Sequence, residues 1–132
     1  MNSFAAQLQA IVDKRKATLN QVARMITFEV GNRIIIRTPV DKGTLAGNWL
    51  WSVGSPDQSF SYGKTGQNES IGQLNAMMQT FDTSQVGYFT NSMPYASRIE
   101  NEGWSQKAPS GMVAITLAEY PAIADRVIRS FA

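Results

Sequence analysis

Histidine and cysteine are both absent from the 132 residues. That removes the commonest general base, the commonest metal ligand, and all thiol and disulfide chemistry. Structural zinc and most transition-metal sites are not expected with such a composition. Carboxylates, lysines, arginines and hydroxyls remain. Glu100 and Glu102 stand two apart in a short helical pattern, on different sides, and cannot share a substrate without distortion. Asp41 lies in a turn beside Lys42. Gly63-Lys64-Thr65 looks like the end of a phosphate-binding loop, but the first glycine of G-x-x-x-x-G-K-S/T would fall at position 58, which is Gln. No apolar strand leads into it either. No spacing demands acid–base work. No catalytic residue, cofactor or metal ligand is expected.

Two other residue groups could act by binding. Trp49 and Trp51 stand at i and i+2, so they share one face of a strand and read as core. Trp104 lies in the polar connection Trp104, Ser105, Gln106, Lys107 that follows a helix-ending glycine. An indole held there fits a subunit interface, or folds back over a sheet edge. Lys14, Arg15, Lys16 and Arg24 form a candidate basic stripe toward DNA or a neighbour. A solvated helix face accounts for the Asp13–Lys16 run equally simply.

These groups are positioned by a long helix and a hinge. Phe4, Leu8, Ile11, Arg15, Leu19, Val22, Ile26, Val30 and Arg33 follow three- and four-residue steps, apolar at seven of the nine positions. The pattern predicts a helix over about 3–37, with Asn2 or Ser3 as N-cap. At 1.5 Å per residue it is roughly 50 Å long, more than a small core can cover, so its first half is expected to project or to pack on a neighbour. Thr18-x-x-Gln21 matches a capping box and permits a kink near Ala17–Thr18. Ile34-Ile35-Ile36 reads as a last turn buried on several sides. Pro39 then stops the helix by Arg37, Asp41 supplies turn chemistry, and Gly43 can take positive φ; these three form the structural hinge.

From Leu45 the period changes to two, which predicts a strand over Leu45–Val53. Residues 54–69 have loop composition. Ser70-Ile-Gly-Gln73 is expected to cap a short helix burying Ile71, Leu74, Met77 or Met78, and Phe81. A strand over Val86–Asn91, a short helix over Tyr95–Asn101, a strand over Gly111–Leu117 and a closing helix over Glu119–Phe131 follow. The fold class is α+β in a single domain, 1–132: a small antiparallel sheet flanked by a long N-terminal helix, short middle helices and a C-terminal helix.

Hydrophobic residues make up 43% and charged residues 17%, ordinary for a folded domain. No run of about 18 apolar residues is present, so no membrane span is expected. The first residues lack a basic n-region and an apolar h-region, so no secretory signal is expected, and the absence of cysteine fits synthesis in a reducing cytosol. The net charge of +2 is uneven. Residues 1–37 carry six basic groups against Asp13 and Glu29, a net +4, whereas the remainder nets −2 from six basic and eight acidic groups. Such asymmetry suits head-to-tail contacts between copies, or a basic face toward nucleic acid.

Two segments carry a resemblance. Thr38-Pro-Val-Asp-Lys-Gly-Thr-Leu45 is followed about fifty residues later by Pro94-Tyr-Ala-Ser-Arg-Ile-Glu-Asn-Glu-Gly-Trp-Ser-Gln-Lys-Ala-Pro-Ser-Gly-Met-Val113. Their order resembles the small neck and tail-completion proteins at the head–tail junction of long-tailed bacteriophages, over roughly residues 20–130. Lys42 and Ala46 depart from that pattern, standing where Thr and a basic residue are frequent. The resemblance implies an α+β protein without catalytic residues, forming a homo-oligomeric, hexameric ring in the virion. It implies adjacent head-connector and tail-tube proteins as partners, non-specific contact with DNA in the lumen, and synthesis in the host cytoplasm. A free nucleic-acid-binding module using the basic helix is the competing expectation. Against it, Phe4 and Phe28 are the only aromatics in that helix, and Phe4 belongs to the apolar stripe.

Overall fold

The computed structural model describes residues 3–40, 43–102 and 111–131. Helix α1 runs unbroken over Phe4–Arg37. Ser3 caps it, its Oγ accepting from the Ala6 N–H at 3.1 Å. No kink occurs at Thr18, whose hydroxyl donates to the Lys14 carbonyl at 3.1 Å and so stays within the helix. Pro39 ends α1 as expected: Thr38 is extended, with φ −69° and ψ 127°. Its hydroxyl donates to the Ile34 carbonyl and accepts from Trp49 Nε1 at 2.8 Å, tying the helix end to the first strand. Of the three isoleucines, Ile34 and Ile35 are buried, whereas Ile36 points outward and is 55% exposed.

The strand predicted over Leu45–Val53 is shorter. Leu45 is helical and residues Ala46–Asn48 form a 3-10 turn, so β1 is Trp49–Val53. The period-two pattern of Leu45, Gly47 and Trp49 is overruled by a turn that the backbone closes on itself. Gly43, at φ +77°, accepts both the Gly47 N–H at 2.9 Å and the Gly66 N–H at 2.8 Å. A Cβ on Gly43 would stand 2.6 Å from Gly66 N. Buried Asn48 completes the lock, donating to the Thr44 and Ser61 carbonyls and accepting from Ser61 N–H.

Helix α2, Gln67–Met78, starts three residues earlier than Ser70, so the loop spans 54–66. Ser70 and Gln73 do not cap it. Instead, one turn apart, they cover the free edge of β1. Trp49 N–H donates to Ser70 Oγ at 3.0 Å, Trp51 N–H to Gln73 Oε1 at 2.9 Å, and Gln73 Nε2 to the Trp51 carbonyl at 2.7 Å. The other edge pairs antiparallel with β2, Gly87–Asn91, in the register Trp49↔Asn91 and Trp51↔Phe89. Trp49 stacks on Phe89 with centroids 5.0 Å apart, and Trp51 meets Phe81 edge to face at 5.2 Å.

Helices α3, Ala96–Asn101, α4, Val113–Ala118, and α5, Tyr120–Ser130, complete the described chain. The predicted strand over Gly111–Leu117 is therefore a helix. Its alternating apolar residues satisfy either period, and the Glu100 carboxylate decides between them by accepting the N–H groups of Met112, Val113 and Ala114 at 2.7, 2.7 and 3.0 Å. In α5, Ile123 and Val127 are buried as expected, whereas Phe131 is 37% exposed. The whole is α+β: a two-stranded antiparallel ribbon among one long and several shorter helices. The core is centred on Ile34, Ile35, Leu45, Trp49, Leu74 and Met112.

Candidate functional site

Every residue from Ser3 to Leu19 is exposed. At 3.6 residues per turn, Phe4, Leu8, Ile11, Val12 and Leu19 fall within an arc of about 100°. They are 80%, 50%, 57%, 38% and 59% exposed. Arg15 is the only polar interruption of that stripe. The body of the protein first reaches α1 at Asn20, whose Oδ1 accepts from Thr83 N–H and Oγ1, and next at Arg24, which donates to the Phe81 carbonyl. Fully burying a large aliphatic or aromatic side chain is worth about 1.5–3 kcal/mol, so the exposed fractions of these five leave about 4–8 kcal/mol unrealised. A helical segment of this length without tertiary packing is marginal in water.

The stripe continues without a break into an apolar groove of about 510 Å³. Leu19, Val22, Ile26 and Val30 form one side, Trp51 and Phe89 of the ribbon the second, and Leu117 and Tyr120 the third. Leu117 and Tyr120 are 53% and 46% exposed. Buried Trp51 Nε1 has no hydrogen-bond partner among the described residues.

Two latches hold the third wall in place. The first is Glu100 on the α4 N-terminus. Burial, the largest single influence, pushes that carboxyl up, but the three backbone donors together outweigh it and hold its pKa below the ordinary value. Gly111 is part of the same latch: it sits at φ +85°, and a Cβ there would lie 2.6 Å from the Glu100 carbonyl oxygen. The second latch is Glu119, at the joint between α4 and α5 and flanked by the two wall residues. Its Oε1 meets Arg37 at 2.6 Å and Arg33 at 3.3 Å, and its Oε2 accepts from Arg37 at 2.9 Å. The hydrogen bond from Arg37 is the main cause that holds the Glu119 carboxyl below its ordinary pKa, and it raises that of Arg37 in turn. Arg37 also donates to buried Thr116 at 2.9 Å, and Glu29 joins the cluster through Arg33 and Arg126.

The residues singled out in the sequence are distributed unevenly about this site. Lys14, Arg15 and Lys16 stand on the projecting half of α1, at successive steps of about 100°, so they surround the helix rather than forming one row. Arg24 is committed to the body through Phe81. It lines a second, open cleft of about 780 Å³ on another face of α1, with Phe28, Met78 and Phe131. Pro39 and Gly43 occupy the hinge as described, while Asp41 lies outside the described residues. Trp104, Ser105, Gln106 and Lys107 also lie outside them. Sequence reasoning missed Glu100 and Glu119 as latches and missed the groove. The only signal was the length of the apolar stripe, which exceeds what one core can cover.

Among the described residues no group of three or more acidic side chains could hold a metal ion. No helix among them is long and apolar enough to cross a membrane. What the arrangement offers is an open apolar groove continuous with a bare apolar stripe. Both segments that carry the phage resemblance serve this frame: Thr38, Gly43 and Leu45 join α1 to β1, and Glu100 with Gly111–Val113 builds the groove wall. Comparison of the chain with protein-family models, curated proteins and solved structures finds no match.

Proposed function

We propose that the protein is a virion structural protein of the neck or tail end of a tailed phage, assembling into a ring that joins or completes the tail. The observation that carries the self-assembling part of this reading is the bare apolar stripe on residues 3–19, which nothing among the described residues covers. The order and spacing of the two resembling segments support the phage part. A one-domain chain offering a projecting helix at one end and an apolar groove elsewhere suits heterologous contacts, which close into rings. The basic run beside the stripe suits DNA passing through the lumen, with head-connector and tail-tube proteins above and below.

Native mass measurement of the purified chain and peptide mapping of purified particles test the two parts separately. A closed oligomer and a constant stoichiometry in particles are expected. Absence from assembled particles would overturn the phage assignment. The exposure of Lys14, Arg15 and Lys16 also favours a second reading, a free DNA-binding module. That reading requires salt-sensitive DNA binding by the monomer, lost on replacing those three residues.

A further inference from the structure

We propose that the groove receives the projecting half of α1 from a second copy of this chain, running in the same direction as the host helix, crossing it at an angle and staggered along it by about half its length. Each copy then offers one helix and one groove. The inference deepens the self-assembly half of the reading above and is independent of the phage assignment.

Three observations identify the occupant. The first is length. Phe4 to Leu19, the bare segment, and Leu19 to Ile34, the segment that lines the groove, hold the same number of residues and each span about 22 Å. The second is surface. The bare stripe and the groove-lining residues follow one another on one unbroken helix, so a partner that covers Leu19 meets apolar side chains in both directions. The third is charge, since residues 1–19 carry three basic groups against Asp13, a net +2, whereas residues 20–132 carry nine of each sign and net zero. A projecting segment carrying Lys14, Arg15 and Lys16 is repelled by another projecting segment but not by the neutral body of another copy.

Charge also sets the direction. In the parallel, staggered register, residues 13–16 of the guest come level with residues 28–31 of the host, where Glu29 lies. In the antiparallel register they come level with residues 22–25, where Arg24 lies. That arrangement gathers Lys14, Arg15, Lys16 and Arg24 of both copies around one dyad, and like charges so placed repel. The parallel register also leaves a free helix at one end of a pair and a free groove at the other, a heterologous contact that closes into a ring where guest and host helices cross at an angle and gives an open filament where they do not. Half the circumference of a helix about 10 Å wide and 22 Å long is about 350 Å². This is well under the roughly 800 Å² per partner of a stable binary interface. A single contact is therefore weak, and closure of the ring holds the assembly together.

Disulfide trapping tests this without ambiguity, because the natural chain has no cysteine. Separately purified Leu8→Cys and Ala23→Cys chains, mixed and oxidised, should give a crosslinked pair at least ten times faster than Leu8→Cys mixed with Val30→Cys. Leu8 is exposed, and Ala23 and Val30 are conservative positions for cysteine, so folding can be checked by circular dichroism beforehand. Preferential trapping at Val30 would show an antiparallel dimer and overturn the proposed direction. Leu8–Leu8 crosslinks alone would show that projecting helices pair with one another. Trapping of neither groove position above the rate of free monomers would overturn the contact, even if the wild-type chain has an oligomeric native mass.

Discussion

Replacing Glu100 by Ala removes the acceptor of three backbone N–H groups at 2.7, 2.7 and 3.0 Å at the start of a helix six residues long. Loss of an N-cap side chain costs about 0.5–2 kcal/mol. Three charge-assisted bonds would exceed that range in a dry site, but this carboxylate is half-exposed and water replaces part of the loss. We expect about 2 kcal/mol at neutral pH. For a domain of this size that is a fall of about 6–10 °C in thermal midpoint. Glu100→Gln keeps one acceptor oxygen and should lose about half as much. The pH dependence separates a charge effect from a packing effect. The folded pKa lies below the ordinary carboxylate value, so the contribution is full above the unfolded pKa of about 4.3 and is lost as pH falls through the folded value. Thermal unfolding followed by circular dichroism at pH 7 and at pH 3 should therefore show the wild-type advantage narrowing in acid. An alanine variant within about 0.5 kcal/mol of wild type at pH 7 would refute the latch, as would an undiminished gap at pH 3.

Other expectations are tied to single contacts. Gly111→Ala meets both a positive φ and the Glu100 carbonyl, and should cost about 1–3 kcal/mol in urea unfolding. Ser70→Ala leaves the buried Trp49 N–H and the Ala46 carbonyl without their partner and should cost about 1–3 kcal/mol by the same assay. Replacing Lys14, Arg15 and Lys16 together by Gln should leave the unfolding midpoint of the isolated chain unchanged, because all three are exposed. It should also lessen the salt dependence of self-association measured by light scattering.

The long helix, its Pro39 stop and the positive φ of Gly43 were legible because their causes are local: a 3.6-residue period, a missing N–H and a missing Cβ. The failures share a different cause. Gly111–Leu117 alternates well enough for a strand, and only Glu100, in another element, makes it a helix. Ser70 and Gln73 have the spacing of a cap, yet they bond a strand edge more than twenty residues away in sequence. Leu45 and Gly47 read as strand until the 64–66 backbone, packed against Gly43 and Gly47, demands a turn. The groove was invisible for the same reason, since Trp51, Phe89 and Leu117 meet only after three separate elements pack. The excess length of the apolar stripe was legible, as apolar surface that one small core cannot cover.

The claim on which the account depends is that residues 3–19 form an assembly surface rather than a solvated extension. Native mass spectrometry of the wild-type chain beside the Leu8→Asp, Ile11→Asp double variant tests it most directly. Both positions are exposed and lie outside the core, so the variant should keep the wild-type unfolding midpoint. The account predicts a closed oligomer for the wild type and a monomer for the variant at the same concentration. A variant that retains the wild-type oligomeric mass, or a wild-type chain that stays monomeric at high concentration, would contradict it.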